Sequence, residues 1–155
     1  MSEPDQEDML QRFQSDPPCP ARELLGGSVL ELDQTRGFAR MVFEPGPQLC
    51  AHGALLHGGF LAAMLDEAMS VAAVVHSGFR EMVPTLAMKT SYLRPVGRGC
   101  LIVEGEVERY GRRVAFLTGR LFDAEGKLSA SGSATVRVVP MPAPAPAPAP
   151  GQEDG

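Results

Sequence analysis

Residues 59–75 read GFLAAMLDEAMSVAAVV, and between Phe60 and Val75 the only polar side chains are Asp66, Glu67 and Ser70. The stretch holds no proline and is rich in Ala, Leu and Met, which favour helix. Gly58-Gly59 mark its start and Ser77-Gly78 its end. A helix apolar on nearly every face has to be buried on nearly every face. Whatever surrounds it must therefore wrap around it.

The remaining sequence reads as strands. Over residues 101–107, Leu101, Val103 and Val107 face one way while Ile102, Glu104, Glu106 and Glu108 face the other. Over 128–138, Leu128, Ala130, Ala134, Val136 and Val138 alternate with Ser129, Ser131, Ser133, Thr135 and Arg137. Period two of this kind marks a sheet with one face covered. Residues 112–122 supply another strand, with turns at Tyr110-Gly111 and across 123–126. Segments 85–93, 38–43 and 29–33 complete a β-β-α-β-β-β-β order. The expected class is α+β, an antiparallel sheet wrapped around one long central helix. One sheet cannot enclose every side of that helix, so a second subunit is expected to complete the burial.

The ends differ from this middle. Residues 1–20 are acidic with prolines at 17, 18 and 20, and read as a flexible segment in which Met9, Leu10 and Phe13 have the spacing of a short helix. The domain is expected over 21–139. Residues 140–155, with alternating Ala-Pro, read as a disordered tail of extended, polyproline-like character. The formal net charge of -5 argues against nucleic-acid binding as the main activity. Three cysteines without a CxxC spacing give neither a disulfide framework nor a zinc knuckle, and a reducing, cytoplasmic setting is expected. The N-terminus lacks the apolar run of a signal peptide, and no uninterrupted run of 18 apolar residues suits a membrane span.

Phosphate loops, nucleophile elbows and zinc-protease signatures are missing from the sequence. His52 and His57, five apart, make a poor metal pair, and neither metal nor cofactor is expected. Asp66 stands out, because a carboxylate within an apolar helix costs free energy unless it is paired, exposed or functional. It is either a half-exposed or salt-bridged helix position, or a general base or nucleophile. Gly58 opens the helix, where backbone N–H groups are unpaired and the dipole end is positive. It is either a turn glycine or an oxyanion donor that lets a substrate carbonyl come close. Eight residues separate the two, about 12 Å along a helix. They cannot serve one carbonyl within one chain, so if both are catalytic, Gly58 of one subunit faces Asp66 of another.

HGGFLAAMLDEAMSVAA and TLAMKTSYLRPVGRG resemble the HGG-x6-D helix and the following strand of the PaaI-like hotdog-fold acyl-CoA thioesterases. The resemblance runs from about Leu24 to Val139. It implies a hotdog fold and hydrolysis of acyl- or aryl-CoA to free acid and CoA, by a homodimer or dimer of dimers. It implies Asp66 as nucleophile or base, the Gly58 N–H on the thioester carbonyl, Thr85 as the residue orienting the water or carboxylate, and His57 beside the thioester or holding the loop. Gly59, Lys89, Arg94, Arg98, Arg112 and Arg113 are candidates for contacts to CoA, Arg being suited to phosphate. The chain departs from the family's N-x-x-G-x-x-HGG pattern: Cys50 stands near the Asn position, one extra residue precedes His57, and His52 is the polar substitute at hand. Rival readings are a non-catalytic acyl-CoA-binding sensor and a hotdog dehydratase or hydratase, which would want an Asp paired with a His.

Overall fold

The computed structural model describes residues 5–143. Helix α1 (Gln6–Ser15) and helix α2 (Pro20–Leu25) precede strands β1 (Gly27–Asp33) and β2 (Phe38–Phe43). The long helix α3 (Gly58–His76) follows, then β3 (Glu81–Met82), β4 (Thr85–Tyr92), β5 (Leu101–Tyr110), β6 (Val114–Phe122), β7 (Leu128–Arg137) and β8 (Val139–Pro140). Six strands form one antiparallel sheet in the order β1-β2-β5-β6-β7-β4, and β3 pairs with β8 in a separate small ladder. This is the hotdog arrangement, a single helix held in a curved sheet.

Burial of α3 organises the core. Leu61, Met64, Leu65, Ala68, Met69, Val71, Ala72, Ala73 and Val75 are all buried. They meet Met41 and Phe43 of β2, Leu101 and Val103 of β5, and Leu117 and Leu121 of β6 within one apolar cluster. By length and composition alone α3 is long and apolar enough to cross a membrane, as a buried core helix also is, though Asp66, Glu67 and Ser70 break its apolar run. Here α3 is the core helix of the sheet.

The closest approach of helix to sheet is at Gly105 of β5. A Cβ there would lie 2.2 Å from the carbonyl oxygen of Ala68 and 2.6 Å from the amide nitrogen of Met69. The register aligns Gly105 with Gly119 and Gly119 with Gly132, so three glycines cross the middle of the sheet in one row. At Gly119 a Cβ would meet the side chains of Met69 and Leu65 at 3.1 and 3.2 Å. The row is a trough for the helix.

The sheet leaves one stripe of α3 uncovered. Gly59 is exposed, and Ala62, Ala63, Asp66, Ser70 and Val74 are half-buried, at the three- and four-residue spacing of one helix face. Edge strand β4 lies beside it and carries exposed Leu86 (61%), Tyr92 (51%) and, just past its end, Leu93 (55%). The uncovered side is the one the composition of the helix leads one to expect.

Three expectations need correction, while the short helix expected on Met9, Leu10 and Phe13 forms as α1, which buries Met9 and packs Leu10 and Phe13 against the core. Three apolar side chains on one face outweigh the acidic composition around them. The strand expected from Arg112 begins at Val114, because residues 111–113 make the turn from β5. In β7 the inward and outward assignments of Leu128 and Ser129 are reversed: Leu128 is 37% exposed and Ser129 is fully buried. A register shift between Leu121 and Phe122 pairs Phe122 with Leu128 and leaves Ser129 as the extra residue of a bulge. Its hydroxyl donates to Asp123 Oδ2 at 3.1 Å or to the Lys127 carbonyl at 3.0 Å, so it is buried with partners. The small β3–β8 ladder was not anticipated. Of the Ala-Pro tail, residues 144–155 lie outside the described residues.

Gly105→Ala tests the trough. The added methyl collides with helix backbone, which cannot rotate away, so urea unfolding should show a loss of about 3 kcal/mol or no folded protein at all. A loss under about 0.5 kcal/mol would show that α3 does not lie against β5 as described.

Candidate active site

Asp66 and Glu67 are adjacent on α3 but meet different surroundings. Glu67 Oε1 accepts from Arg22 Nε at 2.5 Å, an ion pair whose side chains are only 22% and 18% exposed, and the Arg22 guanidinium also stacks on the Phe13 ring, 4.3 Å from its centroid. Asp66 has no cationic partner among the described residues. Its Oδ1 accepts from Thr85 Oγ1 at 2.8 Å, and no described residue donates to Oδ2. Thr85 opens β4 and pairs with buried Val136, so its side chain points to the helix side of the sheet. The salt-bridge alternative for a carboxylate on this helix therefore belongs to Glu67. Asp66 is a half-buried, hydrogen-bonded carboxylate with one oxygen facing the uncovered stripe.

The start of α3 supplies the second element. His57 is the N-cap, and its Nδ1 accepts from the Gly59 N–H at 3.0 Å. The His57 carbonyl accepts from the Phe60 and Leu61 N–H groups at 3.0 and 3.3 Å. The Gly58 N–H has no acceptor among the described residues, as the first turn of a helix requires. A donor without a partner, at the positive end of the helix dipole, suits a developing negative charge. Tyr92, at the end of β4, covers this turn: its hydroxyl donates to the Gly58 carbonyl at 2.7 Å. A Cβ at position 58 would lie 3.2 Å from its ring.

The sequence candidates fall into groups. Thr85 and Asp66 meet directly, and His57, Gly58 and Gly59 share the helix start. Those two groups stand about 12 Å apart along α3. Arg94 and Arg98 follow β4 on the side of the molecule where α3 begins and line an open cleft of about 470 Å³ with Lys127, Asp123 and Glu125. Arg98 Nε donates to the Pro45 carbonyl at 3.1 Å, and Lys127 pairs with Glu125 at 2.9 Å. Lys89 is exposed on the outer face of β4, between Met88 and Thr90, which turn to the helix side. Arg112 and Arg113 sit in the β5–β6 turn, at the end of the sheet where Tyr110 contacts His76, the last residue of α3. Cys50 bridges to Leu56 and is half-buried, and His52 is exposed in the loop between them. Two participants were not among the candidates. Tyr92 stood inside the quoted Tyr-Leu-Arg-Pro run without a role, and Arg22 carried no motif at all.

Comparison with known proteins agrees with the fold. Residues 53–130, from the loop before α3 into β7, match the family model described as "Thioesterase superfamily". A protein of Saccharolobus solfataricus named "Putative esterase SSO1253" is 28% identical over 100 residues, 64% of this chain. That alignment spans 66% of the relative, just under two thirds of its length. Among solved structures, a phenylacetic acid degradation-related protein of Ralstonia eutropha superposes with a TM-score of 0.75 at 28% identity, covering 83% of this chain and 98% of the other. A mutant of the phenylacetic acid degradation protein PaaI of Thermus thermophilus gives 0.68 at 29% identity, covering 77% and 98%.

The different roles of the two neighbouring carboxylates are separable. Arg22→Met removes the charge that pairs Glu67 and should cost about 1–2 kcal/mol in urea unfolding, while Asp66 keeps its bond to Thr85. An unchanged midpoint would show that the Arg22–Glu67 pair does not anchor α2 to α3. The match over residues 53–130, half of the sequence, together with the hotdog sheet, shows that the chain belongs to the thioesterase superfamily.

Proposed function

We propose that the protein hydrolyses the thioester of an acyl- or aryl-CoA, giving the free acid and CoA. The observation that carries this reading is the Thr85–Asp66 hydrogen bond at 2.8 Å beside an uncovered helix face. Thr85 fixes Oδ1 and leaves Oδ2 to take a proton from water. The water oxygen then bonds to the thioester carbonyl carbon. The carbonyl oxygen becomes an oxyanion held by the Gly58 N–H. Collapse breaks the C–S bond, and the CoA sulfur leaves as a thiolate that takes up a proton. Asp66 acts here as general base.

The site is shared between two copies. Gly58 and Asp66 of one chain are too far apart for one carbonyl, and a second copy resolves this. Antiparallel pairing of β4 with its symmetry mate about a two-fold axis brings Thr85 of one chain opposite Tyr92 of the other. Tyr92 touches Gly58, so Asp66 of one protomer then faces Gly58 of its partner. The same pairing covers the open edge of β4, the exposed Leu86 and the bare stripe of α3. Arg94 and Arg98 are the best-placed cations for the CoA phosphates, being near the Gly58 end. Three unpaired cysteines fit a reducing, cytoplasmic setting.

A panel of acyl- and aryl-CoA substrates with a thiol reagent tests the reading. Release of free CoA is expected. Asp66→Asn should reduce kcat more than about 100-fold with the fold intact, and Thr85→Val, which keeps the shape but not the donor, about 10-fold. Binding without CoA release across the panel would make the protein an acyl-CoA sensor instead. Near-wild-type turnover by Asp66→Asn would remove Asp66 from the mechanism.

A further inference from the structure

The peptide unit between Gly58 and Gly59 is held at both ends by side chains. Its carbonyl accepts from the Tyr92 hydroxyl at 2.7 Å, and its N–H donates to His57 Nδ1 at 3.0 Å. The preceding unit, between His57 and Gly58, is held on one end only: its carbonyl accepts from the Phe60 and Leu61 N–H groups, while its N–H, that of Gly58, has no acceptor among the described residues. Gly58 Cα thus joins two fixed peptide planes.

A pair of glycines is the most freely rotating dipeptide a chain can offer. The Phe60 and Leu61 N–H groups hold the carbonyl end of the plane that carries the Gly58 N–H, and fixing the next plane takes away the rotation left at Gly58 Cα; an oxyanion donor helps catalysis only when its direction is set before the charge appears. The ring of Tyr92 adds to the restraint. A Cβ built at position 58 would stand 3.2 Å from that ring, so any side chain there would push against Tyr92. The His57 ring holds the helix start through Nδ1, which accepts from the Gly59 N–H.

We infer that Tyr92 and His57 are positioning residues: they clamp the Gly58–Gly59 peptide from both sides and so aim the free Gly58 N–H at the thioester carbonyl. Tyr92 belongs to the edge strand and His57 to the loop before the helix, so the clamp also ties the oxyanion donor to the strand that carries Thr85. This inference rests on the thioesterase reading for its catalytic consequence, though not for the geometry of the clamp.

The test combines kinetics with backbone amide exchange. Tyr92→Phe keeps the ring and removes the hydroxyl. With the acyl-CoA that wild type hydrolyses best, kcat should fall about 10- to 100-fold while KM stays within about twofold. Thermal melting should stay close to wild type, and the Gly59 amide should exchange faster with deuterated water. His57→Ala should lower kcat in the same way. His57→Asn should recover much of that loss, because Asn is a strong N-cap acceptor for the Gly59 N–H. A kcat for Tyr92→Phe within about twofold of wild type would overturn the clamp. So would equal inactivity of His57→Asn and His57→Ala, which would give the imidazole another task. If wild type hydrolyses no acyl-CoA, the functional reading fails by itself. The exchange measurement still decides the clamp: faster Gly59 exchange in Tyr92→Phe supports it, and an unchanged rate overturns it.

Discussion

Helix α3 lies so close to β5 that the Ala68 carbonyl occupies the place of a side chain at Gly105. Much else follows from that contact. The glycine row Gly105–Gly119–Gly132 lets the sheet curve around the helix, and burying Met64, Leu65, Ala68, Met69 and Ala72 supplies the core. At roughly 25 cal/mol per Å² of apolar surface, burial of such side chains is the main favourable contribution to folding. A sheet that grips the helix from one side also leaves the opposite stripe bare. The same packing that stabilises the chain thereby sets aside Asp66 and its neighbours for another use.

The electrostatics of that stripe depend on the rotation of about 100° between successive helix residues. It turns Glu67 toward Arg22 and Asp66 toward Thr85. The Arg22 guanidinium occupies Glu67 as an anchor for α2. Asp66 receives one neutral donor, the Thr85 hydroxyl, which orients it. Adjacent carboxylates on one helix thus differ: Glu67 is a structural anchor, and Asp66 is the carboxylate to which the proposed reaction gives the proton.

The helix and the six main strands were legible because their apolar spacing reports directly on burial, at period 3.6 for one and 2 for the others. The reading failed where a local irregularity broke the period. At Ser129 one inserted residue reverses the faces, and nothing in LSAS distinguishes a bulge from plain alternation. In α1, Met9, Leu10 and Phe13 had the right spacing, but it is the neighbouring β1 that lets them join the core. Asp66 was conspicuous because a charge on an apolar helix is costly, and Gly58 because it opens that helix. Thr85 came from the family resemblance, since its partner is 19 residues away. Tyr92 reaches Gly58 across 34 residues, and a tyrosine at the end of an edge strand gives no local sign of the carbonyl it will meet.

In the proposed reaction one thioester is cleaved between Gly58 of one protomer and Asp66 of its partner, and complementation between inactive variants tests this. Asp66→Asn and Gly58→Val, the latter driving a side chain into the space of Tyr92, are unfolded and refolded together. In a mixed dimer one site carries both lesions and the other neither. Random pairing makes about half the dimers mixed, each with one intact site of two, so roughly a quarter of wild-type activity should return. No recovery, with mixed dimers confirmed by mass, would contradict the shared site.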